Sequence, residues 1–338
     1  MKSRWIFGRS GLVALAVTAA LALGGCSSGG ESSSKADTTA GSGFPVTVDS
    51  ALGKATISKR PERVVTIGWG SQDVALALGV VPVGMQDMSG DTGEPSGILP
   101  WDAPKLHGAK PTLLKYTTGE VPYEEIAALR PDVILAVDSG LTGAEYAKLS
   151  QIAPTVGYPG KPWLTSWQDQ LTMVGKALGE TKKAAAVGRS TDELIAGAKQ
   201  AHPEFSGKTV AFGSGTTTSS FNLYLAGDSR VQLLRQLGFT VSRSLPSKAP
   251  SFAAQVSLEK LDSIKADVMV AWYLSSSVQK TLESNKLFQR MSAVRRGGYV
   301  PLTDPAMVYA TSAVSVLSLP WMLDRYLPLL SAAAKGKS

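Results

Sequence analysis

The stretch Tyr123-Glu-Glu-Ile-Ala-Ala-Leu-Arg-Pro-Asp-Val-Ile-Leu-Ala136 aligns without a gap on Leu258-Glu-Lys-Leu-Asp-Ser-Ile-Lys-Ala-Asp-Val-Met-Val-Ala271. Glu124 matches Glu259, 135 residues later, and Leu129 matches Ile264, Arg130 matches Lys265 and Asp132 matches Asp267. That spacing is a domain's worth of chain rather than a solenoid unit. A second pair agrees with the first. Val64-Val-Thr-Ile-Gly68 leading to Leu76-Ala-Leu-Gly-Val80 resembles Thr209-Val-Ala-Phe-Gly213 leading to Leu234-Arg-Gln-Leu-Gly-Phe239. Each copy reads as strand, loop, helix, glycine, strand, so the chain is expected to fold as two related α/β lobes.

Between and within the copies, short β-type runs such as Arg63–Ile67 and Asp132–Ala136 alternate with helical patterns such as Asp73–Gly79 and Thr142–Leu149. Alternation of this kind predicts α/β architecture with mainly parallel sheet. From Thr181 to Ala201, small or apolar residues recur at Ala184, Val187, Thr191, Leu194, Ile195, Ala198 and Ala201, which is helical spacing, and Pro203 closes the pattern. With Gly188 and Gly197 as its weak points and no internal proline, this segment is expected to join the lobes as one stiff helix.

The chain opens with Lys2, Arg4 and Arg9 ahead of a short apolar run, the layout of a secretory signal, and that run is too short to span a bilayer comfortably. It ends in Leu23-Gly24-Gly25-Cys26, which resembles the lipobox of lipoproteins; the alternative is an ordinary secretory signal with a chance cysteine. Lipid on Cys26 would hold the protein on the extracytoplasmic face of the cell membrane. Ser27–Gly43 is polar and small throughout and reads as a flexible tether, with folding expected from Phe44. Of the formal charge of +7, Lys2, Arg4 and Arg9 leave with the signal, and the remaining basic residues are scattered, which argues against a nucleic-acid partner.

The inventory of reactive groups is sparse. Cys26 is the one cysteine, and His107 and His202 are the two histidines, expected respectively at a strand end and exposed at a helix end. No Gly-x-Ser-x-Gly elbow, phosphate-binding loop or His-Glu-x-x-His motif occurs. Gly213-Ser-Gly215 lacks the third glycine of a dinucleotide site and reads better as a tight turn. No catalytic residue, direct metal site or intrinsic cofactor is assigned, whereas a chelated metal that brings its own donors would meet no such objection.

Ligands of open parallel sheets sit beyond the carboxyl ends of the strands. The residues following the predicted strands there are Trp69 and Gln72, Ser139, Tyr158 and Trp163, then Thr216, Phe221 and Tyr224, then Trp272 and Tyr273; Tyr116 lies in the loop before the Glu124 helix. Such aromatics either pack a core or present flat faces to a large conjugated ligand, whose charge Arg230 or Arg243 could meet. Glu124 and Glu259 each fall in the first turn of a predicted helix, where the dipole favours a carboxylate, and they would equally suit a docking surface that meets two copies of a basic partner.

Phe44-Pro-Val-Thr-Val, Lys59-Arg-Pro-Glu-Arg-Val-Val-Thr-Ile-Gly, Leu78-Gly-Val-Val-Pro-Val-Gly84, Glu124-x-Ile-x-x-Leu-x-Pro-Asp-Val-Ile-Leu and Tyr146-x-Lys-Leu-Ser-x-Ile-Ala-Pro-Thr-Val156 resemble the iron-siderophore substrate-binding lipoproteins of ABC importers. The likeness runs from about Phe44 to Leu330 and takes in Leu233-Leu-Arg-Gln-Leu-Gly-Phe239, Val256-Ser-Leu-Glu-Lys-Leu261 and Ala293-Val-Arg. It implies two Rossmann-like lobes joined by one long α-helix, with a ligand cleft between them. In these terms residues 1–25 are the lipoprotein signal peptide, 26–43 the tether, 44–180 the N-terminal lobe, 181–202 the interdomain helix and 203–338 the C-terminal lobe. The resemblance further implies a monomeric binding protein, not an enzyme, that captures a ferric siderophore and hands it to a dimeric ABC permease. Iron would enter only as the siderophore chelate, and Glu124 and Glu259 would dock to the paired permease subunits. Pocket residues vary with the siderophore across this family, so Trp69, Gln72, Tyr116, Ser139, Trp163, Thr216, Tyr224, Arg230, Trp272 and Tyr273 rest on topology alone. A haem- or corrinoid-binding protein of the same fold, with His107 or His202 facing the cleft, an envelope enzyme, or a surface interaction protein that has lost transport are the competing readings.

Overall fold

The computed structural model describes residues 43–117, 119–249 and 252–337; the signal peptide, Cys26 and all of the tether but Gly43 lie outside the described residues. A hairpin opens the first lobe, β1 (Val46–Ser50) running antiparallel to β2 (Gly53–Ile57). β3 (Val64–Thr66), β4 (Gly84–Gln86), β5 (Thr112–Leu114), β6 (Val133–Leu135) and β7 (Thr155–Val156) form an all-parallel sheet in the order β5-β4-β3-β6-β7. Val64, Val65 and Thr66 are fully buried, as expected where helices cover both faces of a parallel sheet. The order reverses at β3, so the crevice of this lobe lies beyond the carboxyl ends of β3 and β6.

The second lobe contains β8 (Thr209–Gly215), β9 (Ser220–Tyr224), β10 (Thr240–Val241), β11 (Ala253–Ser257), β12 (Val268–Tyr273) and β13 (Tyr299–Leu302). Parallel β10, β8, β12 and β13 repeat the arrangement of β4, β3, β6 and β7. The departure is on the outer edge of β8, where antiparallel β9 pairs with Gly213 and Ser214 and is itself flanked by antiparallel β11. The sheet is therefore mixed. Gly213-Ser-Gly215, expected as a turn, continues β8 instead; a Cβ on Gly213 would stand 2.3 Å from the Phe221 ring and 2.5 Å from the Asn222 carbonyl oxygen. Glycine is thus what allows β9 to approach this closely.

The repeat has a physical counterpart in Asp132 and Asp267. The Asp132 carboxylate accepts from the main-chain N–H of Glu62 (2.8 Å) and Arg63 (3.0 Å), while its own N–H donates to the Arg63 carbonyl (2.8 Å). Asp267 accepts from the Thr209 N–H (2.8 Å) and hydroxyl (2.7 Å) and donates its N–H to the Thr209 carbonyl (2.9 Å). Each aspartate thereby ties the start of β6 or β12 to the start of the central strand beside it. Partial burial pushes both carboxyls up, but the N–H donors and the neighbouring cations (Lys59 and Arg63, or Arg296 and Lys208) outweigh it and hold both below the ordinary carboxylate range.

The helix Thr181–Ala201 is 21 residues long and unbroken, and it packs on the first lobe through the Trp167–Ala177 helix and on the second through the Ser318–Ala334 helix. A Cβ on Gly175 would stand 2.5 Å from Cβ of Ala184, so these two small residues set the close crossing of the first pair. Core residues run continuously from Val74, Trp101 and Leu171 of the first lobe to Val231, Tyr309 and Met322 of the second. One buried polar link crosses the same junction. Asp73, in the Ser71–Ala77 helix, accepts from Trp101 Nε1 (2.7 Å) and from the Ser315 hydroxyl of the second lobe. Burial raises the Asp73 carboxyl to about 6 against these two donors. Asp102 is pushed well above its ordinary value, first by burial and then by the charge of Asp73.

Candidate ligand cleft between the lobes

The carboxyl ends of β3, β6, β8 and β12 open on a cleft made of three adjoining cavities. One of about 480 Å³ is lined by Trp69 and Asp91 of the first lobe and by Arg230, Trp272, Tyr273 and Tyr309 of the second. A second, about 820 Å³, has Trp163 and Lys161 on one side and Asp228, Lys248 and Phe252 on the other. The third, about 490 Å³, lies along the second sheet with Ser214, Thr216, Asn222 and Tyr224. Trp272 lines the first and third, and Phe252 the second and third, so the spaces are contiguous. Their volumes are those of small-molecule sites.

Local backbone geometry places the aromatics. Trp69 follows β3 with its N–H donated to the Asp138 carbonyl (2.7 Å), and the Trp163 N–H donates to the Ser139 carbonyl (3.3 Å). The segment after β6 thus holds both tryptophans, whose ring centroids are 4.8 Å apart and tilted by 49°. A Cβ on Gly140 would lie 2.6 Å from Trp163 Nε1, which leaves only glycine room beneath that ring. The edge of Tyr309 closes on Trp69 from the other lobe, with centroids 5.5 Å apart at 72°.

On the second lobe Trp272 Nε1 donates to the Tyr224 hydroxyl (3.0 Å), and Tyr224 stacks on Phe252 with centroids 6.0 Å apart and 9° between planes. The Arg230 guanidinium lies 4.3 Å above the Tyr224 ring. Its Nη1 donates to both oxygens of Asp228 (3.1 and 2.9 Å) and its Nε to the Ser312 hydroxyl (3.2 Å). Asp228 also caps the Ser229–Gln236 helix by accepting from the Arg230 N–H. Across the cleft, burial pushes Asp138 up to about 7, against the Thr165 N–H and the Arg230 charge that favour its ionised form.

Of the residues expected at the site, Trp69, Trp163, Thr216, Tyr224, Arg230, Trp272 and Tyr273 line these cavities, whereas Gln72, Tyr116 and Ser139 line none of the three. Tyr116 is buried in the first-lobe core with Leu114 and Ile126, Gln72 is fully buried in its helix, and the Ser139 hydroxyl turns back to the Ala136 carbonyl (2.9 Å). Each follows a strand in sequence but turns inward. Phe221 and Tyr158 are buried as well, the Tyr158 hydroxyl donating to the Leu141 carbonyl (3.1 Å). His107 stands exposed in a loop at φ 50° rather than at a strand end, and His202, half-buried after the interlobe helix, stacks on Phe205; neither lines the three cavities. Asp138, Asp228, Phe252, Tyr309 and Ser312 escaped the sequence reading. Only Asp138 gave a signal, since it sits directly beyond β6.

Glu124 is exposed in the first turn of the Tyr123–Ala128 helix, and Glu259 is exposed in the first turn of Leu258–Ser263, which is a 3-10 helix rather than the expected α-helix. Among the described residues no group of three or more His, Cys, Asp or Glu side chains is arranged to hold a metal ion, and no helix is long and apolar enough to cross a membrane.

Known proteins share this organisation. The structure of PiaA from Streptococcus pneumoniae TIGR4, solved in complex with ferrichrome, superposes with a TM-score of 0.79 at 33% identity, covering 87% of this chain and 100% of that one. The Fe(3+) dicitrate-binding periplasmic protein FecB of Escherichia coli (strain K12) is 28% identical over 257 residues, 75% of this chain and 80% of FecB. A Bacillus subtilis (strain 168) protein named "Probable siderophore-binding lipoprotein YfiY" is 27% identical over 331 residues, 90% of this chain and 93% of its own length. With residues 64–305 matching the family model described as periplasmic binding protein, and with two α/β lobes facing each other across an aromatic cleft, the chain belongs to the periplasmic binding protein family.

Proposed function

We propose that this protein captures a ferric siderophore in the interlobe cleft and delivers it to an ABC importer, without chemistry of its own. The observation that carries this reading is the cleft. Three tryptophans, Trp69, Trp163 and Trp272, and one guanidinium, Arg230, converge from both lobes on space suited to a small chelate. Relatives named for ferric dicitrate and for siderophores, and a structure solved with ferrichrome, support the same class of cargo. The iron is cargo held by the chelator's own donors.

Delivery adds three parts to the reading. Lipid on Cys26 keeps a monomeric binding unit, residues 44–338, at the outer face of the cell membrane, with residues 26–43 as tether and 1–25 as the signal removed on export. The lobes correspond to residues 44–180 and 203–338, with 181–202 as the interdomain helix. Glu124 and Glu259, at matched positions and both exposed, dock to basic residues on the two permease subunits. Tethering raises the effective concentration of this docking face at the permease.

Titration of the purified protein with ferric siderophores, followed by tryptophan fluorescence, tests the capture step. Saturable quenching at micromolar or lower concentration is expected, and no quenching by hydroxamate, catecholate or carboxylate chelates refutes it.

A further inference from the structure

Arg230 is the one cation among the residues that line the cavity of about 480 Å³, and it is already matched. The guanidinium is 6% exposed and its partner Asp228 1%, with Nη1 shared between both carboxylate oxygens and Nε given to Ser312. Its remaining Nη2 is the arm with no hydrogen bond among the described residues. Asp91 stands on the same cavity wall, and Asp138, 4% exposed, feels the Arg230 charge from the first lobe. The further lysines, Lys161 and Lys248, are solvent-exposed on the cavity of about 820 Å³, and the cavity along the second sheet has no charged lining residue. Everything else that lines the cavity of about 480 Å³ is aromatic, aliphatic, hydroxyl or main chain.

Ferric siderophores differ sharply in charge. Three hydroxamates cancel the ferric charge, whereas three catecholates leave a trianion, and ferric citrate is also anionic. Moving a multiply charged anion out of water demands buried countercharge in proportion. Here the one buried cation already has its countercharge before any ligand enters. Taking the ferric-siderophore reading as given, we propose that the cleft is built for a chelate without net negative charge, a tris-hydroxamate, and discriminates against catecholate trianions and ferric citrate. The aromatic walls supply contact area, and Arg230 Nη2 donates one charge-assisted hydrogen bond to a chelate oxygen without having to neutralise the ligand.

The test is a competition among three probes, ferrichrome, ferric enterobactin and ferric dicitrate, titrated into the wild-type protein at about 0.15 M salt, where exposed lysines are largely screened. Ferrichrome is expected to bind at least about tenfold more tightly than either anion. Equal or tighter binding of an anionic chelate overturns the charge preference while leaving the siderophore reading intact; silence of all three probes overturns both. An Asp228→Asn variant separates charge from shape. It releases the Arg230 charge and is expected to shift the ratio of affinities several-fold toward ferric enterobactin relative to ferrichrome. An unchanged ratio between the two ligands shows that charge is not the cause and overturns the proposal.

Discussion

Asp132 and Asp267 make corresponding bonds in the two lobes, each carboxylate accepting the main-chain N–H at the start of the central strand beside it. Replacing either with alanine leaves that N–H without its charged acceptor and is expected to cost about 1–2 kcal/mol, reduced from the range for buried charged pairs because both sites are partly exposed. The two changes share no partner and should add. Urea denaturation of the single and double variants checks both statements. Because the folded carboxyls are held below their unfolded value of 3.8, the stability they confer is present above that pH and is lost as pH falls through their folded values.

Asp73 and Asp138 act in the opposite sense. Raised to about 6 and about 7, they keep protons that the unfolded chain has already released at its ordinary value of 3.8, so they lower stability as pH climbs from about 4 to about 7. Asp138→Asn removes this ionisation and retains an oxygen for the Thr165 N–H. It is expected to stabilise the protein at pH 8 by up to about 4 kcal/mol and to leave stability at pH 4 little changed, as measured by denaturation at the two pH values.

Trp272 serves the cleft in two ways, as a wall and as a donor to Tyr224. Trp272→Phe keeps most of the wall and loses the 3.0 Å hydrogen bond, whereas Trp272→Ala loses both. Expected losses in siderophore affinity are about 1 kcal/mol for the first and 2 kcal/mol or more for the second. Isothermal titration calorimetry distinguishes them, and equal effects would mean that the wall contributes nothing.

Charge reversal at the matched glutamates, Glu124→Arg with Glu259→Arg, should leave ligand affinity within about twofold, since neither side chain lines the cleft. Transport should fall at least about tenfold in the double variant and less in either single. Siderophore uptake by cells carrying each variant provides the measure, and undiminished uptake in the double variant removes the docking role.

The fold was legible because period-two strands and period-3.6 helices recur in matched order, and because the aspartates before β6 and β12 recur with them. The cleft was most legible where a strand runs straight into it. Trp69, Thr216, Trp272 and Tyr273 were found that way, and Gln72 and Ser139 were misplaced by the same rule, since a residue past a strand end can turn inward as easily as outward. Tyr309 and Ser312 reach the cleft from the Pro305–Ser312 helix, Asp228 from a helix cap and Phe252 from the residue before β11, all far along the chain. Their positions depend on how the lobes pack, which no local pattern records. The antiparallel β9 and β11 were missed for a related reason: the repeat predicts only what both lobes share.

The interlobe helix has a mechanical consequence. At about 1.5 Å per residue its 21 residues form a rod roughly 30 Å long, anchored in one lobe by the Gly175 and Ala184 crossing and in the other by the Ser318–Ala334 helix. A rod clamped at both ends resists folding in half but yields to torsion, so relative movement of the lobes is channelled into a shallow twist. The mouth is then expected to change its width only slightly when cargo binds, which would leave little ordering for capture to supply.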